Sequence, residues 1–436
     1  MVVAVTAATL LSGVAAAPAV AAVPLLQNVP SVGTLTTPPT TSECLANFGI
    51  HCYQPAQFVK AYDLAPLFAH GITGRGETIA IVDSFGSPTI ANDLHVFDQT
   101  FGLADPPSLK IVAPAGPIPA FDPNNSDMVG WAEETTLDVE WSHVFAPQAN
   151  ILLVETPVSE TEGVTGFPEI VKAENYVINH NMADVISQSF GATEETFPSV
   201  GSLLALRSAF FNAAAHHVTV LGASGDAGAT DYQLNLSDLY THRVNSWPSS
   251  DPLVTSVGGT MLTLDDAGNR LAPDVVWNDP YGAGGGGVSS VFSRPGFQND
   301  VRRVVGSKRG TPDISLSAAV DGAVVFYFSF EPGIVGYHLV GGTSEATPEF
   351  AGIVALADQM AHHRLGLLNP RLYSLLGEHG NGIVDVTMGN NTFGPFQNSD
   401  GNTYTVVGFN ATRGYDLASG LGTIDAARFV PALAGH

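Results

Sequence analysis

The sequence predicts an α/β protein with a mostly parallel central sheet and helices on both faces. Short apolar runs of strand length at 79–82, 151–155, 184–187 and 218–221 alternate with helical patterns. That alternation is expected of strands joined by crossover helices. The first run ends in Asp83, an acid at the C-terminal end of a buried strand, where α/β proteins form their sites. At 436 residues and 45% hydrophobic content, the chain can bury one large domain or two smaller ones. No period repeats through it, which argues against a solenoid.

Residues 1–24 are small and apolar, and Ala19, Val20 and Ala21 have the form of a signal-peptidase site, although no basic stretch precedes them. Residues 1–21 read as the remainder of a secretory signal peptide, which places the protein outside the cell. Residues 22–45, rich in Pro, Thr and Ser, read as a linker or the remnant of a pro-region. Cys44 and Cys52 are the only cysteines, so they form either a local disulfide or two free thiols, and they are too few for a zinc site.

A helix is expected over 55–70, with Phe58, Tyr62, Leu64 and Phe68 as its apolar positions. A short helix follows over 92–101, then a long proline-bearing loop over 105–127 and a helix resuming at Gly130. A further helix is expected over 201–215, a hairpin- and turn-rich stretch over 247–263, and a last helix ending near Ala434. The glycine run at 281–288 lacks the strand and helix that flank a phosphate-binding loop, so it reads as a place of close chain approach.

There are 41 Asp and Glu against 16 Lys and Arg, a formal charge of -25, yet only 13% of residues are charged. Without a basic patch, nucleic acid is not expected as a partner. No segment beyond the N-terminus is long and apolar enough to span a bilayer, so no membrane partner is expected either. Many acids and few lysines suit a protein that works in acid, a bias that acidic halophilic proteins share.

Three stretches carry chemistry. Gly341-Gly342-Thr343-Ser344 precedes a run of helical apolar spacing, so Ser344 is either a capping serine or a nucleophile held at a sharp turn near a positive helix end. Glu134 and Asp138 are four apart on the helix that resumes at Gly130, and so share a face. They are either two solvated acids or a pair sharing a proton, which raises the proton affinity of one of them. Asp226, in Ser224-Gly225-Asp226 after the apolar run ending at Leu221, either closes an Asx turn or faces a cleft. His143 lies nine residues beyond Glu134, about half a turn around the helix axis, and with His216, His217 and His338 reads as packed or surface histidine.

Taken together, the chain resembles the sedolisin family, the serine-carboxyl peptidases of subtilisin-like fold. The motifs are Gly-Thr-Ser-x-x-x-Pro at 342–348, Glu-x-x-x-Asp at 134–138 and Ser-Gly-Asp at 224–226. Supporting features are the strand ending at Asp83, Ser187-Gln188-Ser189-Phe190-Gly191, the segment 251–260, and Pro312-Asp313-Ile314-Ser315. The resemblance covers about residues 50–430 and implies a single peptidase domain over 46–436. It implies a secreted, monomeric endopeptidase that acts on unfolded proteins or peptides in acid.

By motif, Ser344 is then the nucleophile and Glu134 the general base. Asp138 orients Glu134, and a protonated Asp226 donates to the oxyanion. Asp83 becomes a strand-end structural or near-site acid. Substrate is expected to lie along Ser187, Ser189 and Gly191 and the glycine-rich segment at Gly286, with Trp131 at the cleft border or in the core. A non-catalytic binding protein on the same scaffold and a neutral hydrolase using a histidine base are the alternatives.

The resemblance also implies one structural calcium ion near the C-terminus. Its ligands would be the carboxylates of Asp385 and Asp416 and the carbonyls of Val386, Thr412 and Gly414. It implies a long N-terminal prodomain too, for which the residues between the signal-like start and Cys44 are too few. Either that domain lies outside this sequence or the protein folds without one. Glu345 stands where a small or apolar residue is more familiar, and is expected either to alter the pH profile or to point into solvent.

Overall fold

Strands β1 (Thr78–Ser84), β2 (Leu109–Val112), β3 (Asn150–Thr156), β4 (Val185–Gln188), β5 (Thr219–Ala223), β6 (Thr255–Met261), β7 (Val275–Val276) and β8 (Ile314–Ser317) form the central sheet of the computed structural model. The model describes residues 27–29, 33–377 and 380–436. The expected signal peptide and the first part of the expected linker lie outside them. The strand order is β7-β6-β5-β4-β1-β3-β2, with β8 beside β6. Every pairing is parallel except β6 with β7.

Alternation along β1 sorts the core into two layers. Ile79 and Ile81 face one cluster with Ile151, Leu153, Leu137, Trp141 and Phe350. Ala80 and Val82 face another with Leu152, Val154, Ile170 and Phe210. The helices are α1 (Ile90–Phe101), α2 (Ser126–Phe145), α3 (Phe167–Asn179), α4 (Ser208–Ala215), α5 (Thr343–Ala361) and α6 (Ala426–Ala434). α3 and α4 cover the second layer, and α2 and α5 cover the first.

A smaller sheet feeds α5. Strands β9 (Ala323–Phe328) and β10 (Gly336–Gly341) form a hairpin, flanked by Cys52–Tyr53 and Gln27–Asn28. Trp141 Nε1 donates to the Val325 carbonyl at 3.1 Å, and Tyr327 N donates to Glu140 at 3.0 Å, which clamps the hairpin to α2. The described part of the expected linker therefore pairs with the hairpin at Gln27–Asn28 and at Leu35, which bridges to Tyr337, and ends in the helix Thr41–Asn47. The Cys44–Cys52 disulfide is formed and ties the helix Thr41–Asn47 to the edge strand Cys52–Tyr53.

Several elements differ from expectation. The helix over 55–70 is two short helices, Pro55–Ala61 and Ala65–Ala69, because Asp63 turns the chain with φ +56°. The helix over 201–215 is likewise two, Val200–Leu204 and α4. The loop expected over 105–127 contains β2, an edge strand with its central residues exposed and so without a buried alternation to reveal it. α2 begins at Ser126, where Asn125 Oδ1 accepts from the N–H groups of Asp127 and Met128. β6, expected to be turn-rich, is a central strand. Its Gly258 packs on Pro312 and Ser315, and a Cβ at its Gly259 would lie 2.8 Å from the Ala318 side chain, so adjacent chains occupy the space a side chain would need.

Candidate active site

Ser344 enters on the first turn of α5. Gly342 precedes the helix with φ +130°, a conformation that favours glycine, and makes no capping bond. Ser344 is therefore not the cap. That part falls to Asp226, in the loop after β5, whose Oδ1 accepts from both the N–H and the hydroxyl of Thr343 at 2.8 Å. Asp226 Oδ2 is buried and has no partner. Burial pushes the Asp226 carboxyl up to about 8, against the lowering effect of the two Thr343 bonds, so it is protonated in acid.

The proline of the Ser344 motif has a physical consequence. Pro348 has no N–H, so the Ser344 carbonyl loses its usual helical donor four residues on. Ser189, just beyond β4, takes up that position. Its hydroxyl donates to Asp138 Oδ1 at 2.9 Å and lies 3.5 Å from the Ser344 carbonyl. The Ser344 hydroxyl itself points to the Ser189 carbonyl at 3.5 Å. The Ser344 N–H has no hydrogen-bond partner among the described residues.

Glu134 and Asp138 arrive from α2, which presses closely on α5. At Gly352 a side chain would collide with Phe145, and would lie 3.2 Å from the Ser142 carbonyl. Glu134 and Asp138 are both fully buried, so the reading of two solvated acids is excluded. Burial raises Glu134 well above the ordinary carboxylate range, reinforced by the charges of Asp138 and Asp83. The Ser344 hydroxyl works in the opposite direction, and so lies beside Glu134. Neither Glu134 oxygen has a hydrogen bond of standard length and angle. Burial also raises Asp138, with Asp83 adding to the effect.

Two carboxyls so placed titrate as a coupled pair, in which the ionisation of one opposes that of the other. Asp83 accepts from Thr135 at 2.9 Å and is pushed up to about 7 by burial, which makes it a third acid beside the pair.

The other expected residues fall into three groups. Ser187 and Gly286 are buried, and the glycine run 284–287 packs against Gly259, Ser224 and Leu417, as expected of close chain approach. Of the four residues assigned to substrate, Gly191 alone is partly exposed. Trp131 is in the core, donating to Ser159 at 3.2 Å. His143 is fully buried on α2 against the Ala104 carbonyl at 2.9 Å, engaged away from Ser344, and burial lowers it to about 4.

Glu345 does not point into solvent. It and Glu349, one turn on along α5, are both buried with no hydrogen bond to any of their four oxygens. Sequence reasoning missed Glu349, although its spacing of four from Glu345 on a helix was the available signal.

Near the C-terminus, Gly414 N donates to Asp385 Oδ2 at 3.0 Å, and Thr412 N donates to Asp416 Oδ2 at 2.7 Å. The first bond joins the two loops, and the second closes the Asp416 loop on itself. The carbonyls of Val386, Thr412 and Gly414 accept no hydrogen bond among the described residues. Two carboxylates and three uncommitted carbonyls are an oxygen-rich donor set that fits calcium. Among the described residues, no group of three or more His, Cys, Asp or Glu could hold a metal. A site here therefore depends on those carbonyls.

Residues 115–371 match the subtilase family. The chain is 32% identical to kumamolisin of Bacillus sp. (strain MN-32) over 391 residues, 87% of this chain and 63% of that protein. It is 29% identical to sedolisin of Pseudomonas sp. (strain 101) over 386 residues, 86% of this chain and 60% of that protein. The match thus spans less than two thirds of either relative's length. The solved structure of Pseudomonas sedolisin, a serine-carboxyl proteinase complexed with two molecules of pseudo-iodotyrostatin, is similar with a TM-score of 0.73 at 28% identity. That likeness covers 89% of this chain and 99% of the sedolisin chain. With the serine of α5, the carboxyl pair of α2 and the aspartate after β5 gathered at one place, the chain belongs to the subtilase family, in its sedolisin or serine-carboxyl peptidase branch.

Proposed function

We propose that the protein is an endopeptidase that cleaves unfolded proteins in acid through an acyl-enzyme on Ser344. The observation that carries this reading is the juxtaposition of Ser344 with the buried Glu134–Asp138 pair on one side and the free Oδ2 of Asp226 on the other. The single negative charge of the pair acts as the base. Glu134 takes the Ser344 proton as Oγ attacks the peptide carbonyl, while Asp138, held by Ser189, fixes the orientation of Glu134. The oxyanion receives hydrogen bonds from the Ser344 N–H and from protonated Asp226. Glu134 then gives its proton to the leaving amine and the C–N bond breaks. A water loses a proton to Glu134, attacks the acyl carbon, and releases Ser344 as that proton returns to its oxygen.

The signal-like start supports secretion as the setting, and the family resemblance implies unfolded protein as the partner and the monomer as the working state. Among the described residues, no helix is long and apolar enough to cross a membrane. One calcium ion held by Asp385, Asp416 and the carbonyls of Val386, Thr412 and Gly414 would crosslink two loops and so serve stability. Gly191, the partly exposed one of the four residues assigned to substrate, would meet the backbone of an extended peptide.

The test is acid-quench mass spectrometry during turnover of an activated peptide ester. An acyl group on the peptide containing Ser344, absent in Ser344→Ala, is expected. Turnover with the label on another residue contradicts the assignment.

A further inference from the structure

At the C-terminal ends of β1 and β3 lies a second polar site that the reaction does not use. It is a cavity of about 160 Å³ whose lining includes Phe85, Ser87, Ile118, Phe121, Met128 and Glu155. Glu155 is in register with Asp83 across the two strands, so the cavity adjoins the acids of the active site. Asp83 is the titratable group opposite Glu155, and Glu155 has no ion-pair partner among the described residues.

Its construction is specific. Gly86 has φ +74°, and a side chain there would collide with the Glu155 carboxyl, so the chain is shaped around that group. Phe85 has φ +62°, a left-handed conformation that a non-glycine residue rarely adopts. Its N–H donates to the Thr156 carbonyl at 2.8 Å, which holds it there. Ser87 is 4% exposed, and its hydroxyl, in the cavity lining, has no partner.

Glu155 is half-buried, and desolvation pushes its carboxyl up to about 7. In acid it is a neutral group with an O–H donor and a carbonyl acceptor side by side. The complement of that pair is a carboxamide, which offers one acceptor and two donors in the same plane. The Ser87 hydroxyl adds a further partner, and Phe85, Ile118, Phe121 and Met128 give apolar surface for methylene groups.

We propose that this cleft is a specificity pocket that takes a carboxamide side chain, glutamine or asparagine, of the bound peptide at a position away from the scissile bond. The proposal rests on the endopeptidase reading. Met128 precedes Glu134 by six residues on α2, about 9 Å at 1.5 Å per residue. An extended peptide covers that distance in about three residues at ~3.3 Å each.

The experiment uses inactive Ser344→Ala near pH 4 and calorimetric binding of one host peptide. Glutamine, norleucine or lysine is substituted singly at each position. At one position glutamine is expected to bind about tenfold tighter than norleucine, the gain from two ordinary hydrogen bonds. Adding Glu155→Leu should erase that ratio, and Ser87→Ala should reduce it, with thermal midpoints confirming that both fold. In the wild type the same ratio should appear in kcat/KM. Equal binding at every position, a preference for lysine, or a glutamine preference that survives Glu155→Leu overturns the pocket. A glutamine preference in binding with no cleavage by the wild type keeps the pocket and removes the endopeptidase reading.

Discussion

Asp226 divides its work between two oxygens: Oδ1 caps α5 through Thr343, and Oδ2 is left free to carry the proton offered to the oxyanion. Asp226→Ala should therefore lower kcat by about 10²–10³ and loosen the start of α5. Asp226→Asn keeps an acceptor for Thr343 and supplies an N–H donor, so it should retain more activity. The carboxyl is protonated below about 8 and loses its donor as the pH rises through that value, whereas asparagine does not titrate. The ratio of Asp226→Asn to wild-type kcat should thus increase above pH 8, and a ratio that stays flat contradicts the donor role.

Glu349 tests the cost of burial. Its two oxygens have no hydrogen bond, and burial, reinforced by the charge of Glu345, raises it well above the ordinary range. Glu349→Leu should stabilise the fold at pH 7 by about 1–3 kcal/mol in urea unfolding, and by less at pH 4, where the native and unfolded carboxyls are both protonated.

At the scale of elements, what could be read from the sequence depended on whether a segment's pattern was local. The strands at 79–82, 151–155, 184–187 and 218–221 are apolar runs with their own boundaries, and each is a strand of the sheet. β6 was hidden because Gly258 and Gly259 owe their identity to Pro312 and Ala318, which are distant in sequence. β9 and β10 pair with each other and with segments near the N-terminus, so no single window reveals them. The site was legible because its motifs are short and each has a mechanical reason, such as Pro348 freeing the Ser344 carbonyl. The fates of Ser187, Gly286 and Trp131 depend on three-dimensional packing, and spacing does not contain that.

The C-terminal loops give an element-scale prediction. If calcium joins the Asp385 and Asp416 loops, saturating ion at 100 times its Kd should stabilise the protein by about 2.7 kcal/mol. A chelator should lower Tm correspondingly, and Asp385→Asn should abolish the response. Asp385 suits this test because Asp416 also accepts from Thr412, Ala418 and Ser419, so changing it would disturb the loop itself. An unchanged Tm with and without calcium contradicts the site.

For the whole molecule, acidity is built into the core as well as the surface. Glu174, Asp98 and Asp358 are each pushed up to about 8, and Glu162 to about 9, with desolvation the largest cause in every case. Their folded values lie above their unfolded ones, so the native state holds protons that the unfolded state gives up. The stability this gives is complete below about pH 4 and is lost as the pH rises through the folded values of these groups. Chemical unfolding should show a loss of more than about 3 kcal/mol between pH 4 and 8. The formal charge of -25 adds self-repulsion in the same direction. A stability maximum near neutrality contradicts this account.

The most direct measurement is hydrolysis of a denatured protein from about pH 3 to 8 by folded wild type, Ser344→Ala and Glu134→Gln, with calcium present. Cleavage that peaks in acid, disappears in Ser344→Ala and falls by about 10²–10⁴ in Glu134→Gln is the expected result. A peak above neutral pH, or Glu134→Gln as active as wild type, would contradict a carboxyl pair acting as the base for Ser344.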